Sequence, residues 1–261
     1  MGTGIQWAAH TTLAAQAAIR DAERVVFAVA DAWSARWIRE LNPNSASMKY
    51  PRDGRPRSAI YEDMAQQVVA ELGRYSRVCA AFYGSPSLLA RPAHEAIRRA
   101  RASGYRASML PGVSSLDCLF ADLGVDPGEG GCAILEAGEF VRGRRQADRK
   151  AHLILFQIAM VMNRGVYSHG DPSIAPGLLL LQRRLLEFYS ASQPVVLYEA
   201  SSHPLQSSRC ESIRLADLHE AQLTELTTLY VAPNDTTSLS RFDIGGFVPI
   251  DVPQIPEEGR L

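Results

Sequence analysis

Cysteine is scarce in this chain and badly spaced for metal. The 261 residues hold four, Cys79, Cys118, Cys132 and Cys210, and no two stand in a C-x-x-C. That spacing argues against a zinc knuckle or ribbon. Cys79, Cys118 and Cys132 sit among apolar or Gly-rich neighbours, as reduced, buried thiols do, so a cytoplasmic protein is expected. The six histidines form no H-E-x-x-H and no helical pair, so no metal site is expected. A phosphate loop ending in Gly-Lys-Ser/Thr is missing, as is the Gly-x-Ser-x-Gly turn of serine hydrolases. Neither charge dominates: 27 basic residues face 28 acidic ones, which speaks against a broad nucleic-acid surface. Long hydrophobic runs are missing too. The apolar stretches Leu153–Met162 and Leu178–Leu181 are too short and interrupted to span a bilayer, so no membrane partner is expected. The chain opens on Gly2-Thr-Gly4 without a basic segment before an apolar run, so no signal peptide is read.

What is present is ordinary core material, 46% hydrophobic, which needs no disulfide or metal staple. Periodicity predicts helices over 11–22, 32–41, 61–75, 93–103, 117–123 and 176–189. Strands are expected at 24–30, 77–82, 105–109, 132–136, 153–162, 195–198, 212–214 and 227–231. The first half alternates strand and helix with polar or Gly-rich loops after the strands. That pattern predicts a parallel α/β sheet with ligand loops at the strand ends, starting at Asp31, Tyr83 and Pro111. The second half reads as a smaller mixed sheet. Proline and glycine concentrate at 124–132, which places a boundary there. The expected organisation is an N-terminal subdomain over 1–125, a C-terminal one over 126–240 and an irregular tail over 241–261. Gly2-x-Gly4 alone is half of a dinucleotide fingerprint and lacks the strand before it.

One stretch concentrates chemistry. Between Tyr50 and Gly84 lie Arg57 and Tyr61, four apart and therefore on one helix face. A guanidinium beside phenols can hold an oxygen, lower a phenol's pKa and help move a proton. Taken alone, the same residues also suit a solvated basic turn before a helix.

A series of short motifs then runs in order from residue 2 to about 233. It includes Gly2-Thr-Gly-Ile-Gln6, Val29-Ala-Asp31, Leu41-Asn-Pro43, Arg57-x-x-x-Tyr61-x-x-Met64 and Phe82-Tyr-Gly84-x-Pro86. Pro92-x-His-Glu-Ala-Ile97, Met109-Leu-Pro-Gly-Val-Ser-Ser115, Leu153-Ile-Leu-Phe-Gln157 and Thr227-Thr-Leu-Tyr-Val-x-Pro233 follow. In this order they resemble the S-adenosylmethionine (SAM)-dependent tetrapyrrole methylase superfamily, and within it the borosin peptide backbone α-N-methyltransferases. The resemblance implies a two-subdomain α/β fold with SAM in the cleft between, a homodimer, and S-adenosylhomocysteine (SAH) as product. It implies catalytic roles for Arg57, Tyr61 and Tyr50, and SAM contacts from Tyr83, Ser85, Leu88, Ser115, Gln157, Ala200, Thr227 and Thr228.

Two departures shape the expectation. Such enzymes usually read Gly-His-Pro-Gly where this chain has Gly84-Ser-Pro-Ser87, so Ser85 stands in place of an imidazole. Fused borosins also carry an apolar core peptide at their carboxyl end, whereas Phe247–Pro253 is short and broken by Pro249 and Pro253, which have no amide proton. The expected substrate is therefore a separate precursor peptide, with helical leader and apolar core, supplied in trans. The alternatives are a tetrapyrrole methyltransferase or a peptide-binding homologue with impaired catalysis. The first usually opens Gly-x-Gly-Pro-Gly-Asp, which this chain lacks.

Overall fold

A computed structural model describes residues 1–51, 54–163 and 174–234. The N-terminal half builds α1 (Leu13–Asp21), β1 (Arg24–Ala28), α2 (Ala32–Leu41), β2 (Ser45–Ser47), α3 (Arg57–Leu72), β3 (Val78–Phe82), α4 (Arg91–Ala102) and α5 (Ser115–Leu123). Its sheet is parallel, in the order β2-β1-β3. Helices cover both faces, which is why β1 reads as an unbroken apolar run. Val25 and Phe27 pack on one face with Ile19 and Ile38, and Val26 packs on the other with Ile60, Met64 and Ala96. Side-chain caps start the helices where the sequence offers them: Thr12 accepts from Ala15 N, and Asp31 accepts from Ser34 N. Asn42 ends α2 before Pro43, and its amide donates to the Ile19 and Ala22 carbonyls, tying α2 to α1.

The second half builds β4 (Cys132–Glu136), α6 (Ala137–Arg142), β5 (His152–Phe156), α7 (Ala175–Leu186), β6 (Pro194–Glu199), β7 (Arg209–Arg214) and β8 (Thr228–Val231). The sheet order is β4-β5-β8-β6-β7, parallel between β4 and β5 and antiparallel elsewhere. Among the described residues this mixed sheet has five strands against three, so it is the larger one, not the smaller one expected. Leu178, Leu181 and Leu185 of α7 fill one face with Leu155 and Leu197. Leu119 of α5 fills the other with Ile154, Tyr198 and Tyr230. The outermost strand, β7, shows its charges to solvent and is pinned by Arg209, which bonds Glu199 and Glu211.

Several expectations shift. Residues 105–109 form no strand: the chain's first residues take the outer edge of β3 at Ala80 and Phe82, and Val78 and Arg106–Met109 border a cavity there. Phe82 N donates to Met1 O and Thr3 N donates to Phe82 O, while Arg101 holds the Ala107 carbonyl from the other side. The strand expected over 153–162 stops at Phe156, where Gln157 turns left-handed and a 3₁₀ turn, Ile158–Met160, follows. Helix α3 begins four residues early, at Arg57. The short β2 and α6 had no sequence signal. The expected tail over 241–261 lies outside the described residues.

Gly177 sits in the first turn of α7 directly against the 3₁₀ turn, and a Cβ there lands on the Val161 carbonyl oxygen. Gly177→Ala is expected to lower the unfolding free energy by about 1–3 kcal/mol. Gly73→Ala is expected to be neutral or slightly stabilising, because Gly73 caps α3 with helical φ −75 and meets nothing closer than 4.0 Å. Urea unfolding of both variants checks the contrast.

Candidate active site

The carboxyl ends of β1, β3 and β5 and the amino end of β8 open onto one cleft, and Arg57 enters it from the start of α3. Pro56, at the N-cap, provides no side-chain cap. The Arg57 Nη1 donates to Gln157 Oε1 at 3.2 Å, across the gap between the two sheets. One turn along α3, the Tyr61 ring lies 6.4 Å from that of Tyr50, tilted by 35°. Burial pushes the Tyr50 phenol up to about 12, the neighbouring Tyr61 adds to this, and Arg57 pulls the other way. Tyr50 therefore stays a neutral hydroxyl at ordinary pH.

Gln157 has φ 58 and ψ 40, a left-handed backbone at the end of β5. For a residue with a Cβ that costs about 1–2 kcal/mol. A hydrogen bond from a charged donor returns about 1.5–3 kcal/mol, enough to offset the strain. Strain of this kind collects at sites where geometry serves function.

The loop after β3 carries the other expected residues. Burial pushes the Tyr83 phenol up to about 12, with Cys118 and Asp31 adding to it. The Ser85 hydroxyl is 2.8 Å from that of Ser87 and accepts from Gly112 N. Here three backbones cross. A Cβ on Gly112 would stand 2.6 Å from the Gly84 carbonyl oxygen, and one on Gly2 would strike the same oxygen. The glycines of the first motif thus have a packing reason. Ser114, not Ser115, caps α5: it exchanges hydrogen bonds with Asp117 in a capping box. The Ser115 side chain is left to the cleft.

Two adjoining cavities form the cleft. One, of about 450 Å³, is lined by Tyr50, Arg57, Tyr61, Tyr83, Gln157 and Met160 among others. The other, of about 210 Å³, is lined by Tyr83, Ser85, Leu88, Ser115, Gln157 and Thr228 among others. Nine of the expected residues thus meet around one cleft. Ala200 and Thr227 line neither cavity. Ala200 packs against the apolar cluster around Tyr198, and the Thr227 hydroxyl donates to Glu199 Oε1 at 2.5 Å. Sequence reasoning missed Leu89, Glu225 and Leu226, which line both cavities. Lone leucines and a glutamate in loops carry no signature that could have marked them. A separate apolar cavity of about 340 Å³ runs along the outer edge of β3, away from all these residues. Among the described residues no three His, Cys, Asp or Glu side chains gather to hold a metal, and no helix is long and apolar enough to cross a membrane.

The raised phenols make a prediction at alkaline pH. The Tyr50 and Tyr83 values lie near 12 instead of 10.0, so the folded chain keeps protons that the unfolded chain releases. Their contribution to stability is full below pH 10 and is lost as pH climbs from 10 to 12. Urea unfolding across that range should show the fall, and Tyr83→Phe should blunt it.

Similar proteins agree with this architecture. Residues 1–214 match the family described as Tetrapyrrole (Corrin/Porphyrin) Methylases. The chain is 34% identical over 238 residues to the methyltransferase/ribosomally synthesized cyclic peptide omphalotin A precursor of Omphalotus olearius, covering 89% of this chain and 57% of that protein. It is 32% identical over 289 residues to the methyltransferase/ribosomally synthesized cyclic peptide dendrothelin A precursor of Dendrothele bispora, covering 100% and 68%. A type III borosin cyclic peptide precursor of Anomoporia bombycina is 34% identical over 244 residues, 92% of this chain and 28% of that protein. The chain thus spans only part of the length of these relatives, about half in the first case. In each of them methyltransferase and precursor share one name. Among solved structures, uroporphyrin-III-C-methyltransferase from Thermus thermophilus superposes with a TM-score of 0.59 at 22% identity, covering 89% of this chain and 90% of that one. A form of that enzyme complexed with S-adenyl homocysteine gives 0.58 at 16% identity, covering 93% and 98%. These likenesses carry the fold. With a parallel sheet and a mixed sheet facing one cleft, and a family match over most of its length, the chain belongs to the tetrapyrrole (corrin/porphyrin) methylase family and is similar to the borosin methyltransferase precursors within it.

Proposed function

We propose that this protein is an S-adenosylmethionine-dependent α-N-methyltransferase acting on backbone amides of a ribosomally made precursor peptide. The observation that carries this reading is the cluster of Arg57, Tyr61 and Tyr50 around one cavity, beside a second cavity lined by small hydroxyl side chains. The donor set suits a nucleoside-bearing cofactor: Ser115 and Thr228 bring hydroxyls, Tyr83 a half-buried phenol, and Leu88 an apolar wall. With Ser85 and Gln157, these residues would hold the cofactor. Ala200 and Thr227 would support them from behind, Thr227 through its bond to Glu199. When bound, the cofactor supplies an electrophilic methyl group.

The chain's own residues must make the acceptor reactive. An amide nitrogen is a poor nucleophile because its lone pair is delocalised into the carbonyl. Arg57 has one arm held by Gln157 and so presents its guanidinium in a fixed direction. In this reading it donates to the acceptor's carbonyl oxygen and stabilises the charge that develops there. Tyr61 would act as a general base in its phenolate form, taking the proton the amide nitrogen loses as that nitrogen bonds the methyl group. Tyr50, kept neutral, donates a hydrogen bond beside it. The cleft rim is exposed at Leu89 and Leu226, which leaves its mouth open to a peptide, and supply of that peptide as a separate molecule belongs to the same reading. Action as a homodimer belongs to the same reading, and gel filtration with light scattering tests it.

Purified protein, incubated with the cofactor and a Val-rich peptide bearing a helical leader, is expected to add methyl mass increments that tandem mass spectrometry maps to backbone nitrogens. Methylation of uroporphyrinogen instead, with none on peptide, would overturn the reading. Tyr61→Phe removes one hydroxyl and should leave folding intact while slowing turnover about 10²-fold or more. Arg57→Ala should slow it about 10²-fold. Full turnover in both variants would remove the two residues from the chemistry.

A further inference from the structure

Two residues with side chains adopt left-handed backbone in the cleft: Leu89 at φ 53 and Gln157 at φ 58. Both line the two cavities already described, and both line a third, outward opening of about 630 Å³ that also reaches Arg91, His94 and Glu136. The three spaces therefore meet at this pair. Leu89 is 41% exposed although it borders a cavity, and so is Leu226, at 47%, which lines the first two cavities with it. Both leucines stand on pinned backbone. Leu226 N donates to the Thr224 hydroxyl, Thr224 N donates to the Thr227 hydroxyl, and Thr227 is held by Glu199, which Arg209 grips in turn at 2.8 Å. On the other side, Leu88 N donates to Ser85 O and a His94 ring nitrogen contacts Ser87 O just before Leu89, while Ala90 O just after it accepts from Ala93 N.

Apolar side chains left in water at the mouth of a polar site, on backbone that does not collapse inward, are poised to gain from burial against an apolar ligand group. The outward opening lies beyond them. It is lined by Tyr61 and Ala90 as well as by Arg91, His94 and Glu136, whose polar groups could bond a peptide backbone passing there. We propose that Leu89 and Leu226 form an apolar clamp that seats the acceptor's side chain and sets the size of residue that is accepted, while the flanking peptide runs along the groove past His94 and Glu136. The inference rests on the peptide methyltransferase reading above and names the determinant of substrate choice within it.

Calorimetry separates the two, because it needs no turnover. Synthetic peptides alike except for one central Val, Phe or Lys are titrated into protein saturated with S-adenosylhomocysteine. The wild-type chain is expected to bind the Val peptide at least about tenfold tighter than the Lys peptide. Leu89→Ala and Leu226→Ala should each weaken the Val peptide about tenfold, and the widened clamp should shift preference toward Phe. Both leucines also border the smaller cavity, so affinity for S-adenosylhomocysteine should fall too, but clearly less than affinity for the Val peptide. Leu89→Gly keeps the left-handed backbone without strain, so it should hold or raise Tm and still lose Val affinity, which excludes misfolding as the cause. Leu205→Ala, an exposed leucine outside these cavities, should change nothing. The clamp is overturned by an unchanged Val-to-Lys ratio in both alanine variants, by parallel losses for peptide and S-adenosylhomocysteine, or by a wild-type chain that binds none of the peptides. If the peptides bind with the expected dependence on both leucines yet no backbone amide is methylated, the clamp stands and the proposed activity falls.

Discussion

The crossing of three backbones at Gly2, Gly84 and Gly112 is the contact on which the cleft depends. It leaves no room for a Cβ on Gly2 or Gly112, so the first residues, the loop after β3 and the loop before α5 are held in van der Waals contact. Tyr83 and Ser85 follow from one of these segments and Ser115 from another. Because α5 then packs on the mixed sheet through Leu119, the same contact ties the wall of the smaller cavity to both sheets. Such close packing transmits displacement, since interiors have little free volume to absorb it. Substitution at Gly2 or Gly112 would move side chains several residues away, whereas at Gly84 the cost would be strain at φ 67.

The second wall is set by a different kind of force. Gln157 is held in an unfavourable backbone conformation, and the bond it accepts from Arg57 spans the two halves of the molecule. The two effects are similar in size, so neither stands well alone. Without Arg57, Gln157 would keep its strain and lose its partner. Without Gln157, the guanidinium would regain the rotamer freedom of a long charged side chain. The chemistry proposed for Arg57 needs a fixed direction more than a strong bond, and this arrangement supplies it.

How much of this was legible in the amino-acid sequence varied with the physics involved. β1 was clear because Val25, Val26 and Phe27 are buried on alternate faces and leave a continuous apolar run. β2 was not, because Ser45-Ala-Ser47 has no strand-forming residue and pairs only because β1 offers an edge. Residues 105–109 looked like a strand by their own pattern. Whether a sheet edge is free, however, is decided by distant residues, here Met1 to Gly4. The four-residue spacing of Arg57 and Tyr61 was readable because a helix turns that spacing into one face. The signs of φ at Leu89 and Gln157 were not, since neither residue type announces a left-handed turn. Thr227 and Ala200 were grouped with the cofactor contacts by motif order, but the Thr227 hydroxyl is turned toward a carboxylate behind the cleft.

That carboxylate links the cleft to the rim of the mixed sheet. Glu199 receives Thr227 from one side and Arg209 from the other, and Arg209 belongs to the outermost strand, where it also pairs with Glu211. Charged side chains on an outer strand discourage a second chain from pairing there. Here one of the guard residues also steadies the turn that carries Leu226. Mobile ions reach Arg209 more readily than they reach the cleft, and screening weakens partly exposed pairs first. Rising ionic strength would therefore loosen the Leu226 wall from the outside of the sheet inward, and the protein's sensitivity to salt would originate at its edge and not in the cleft.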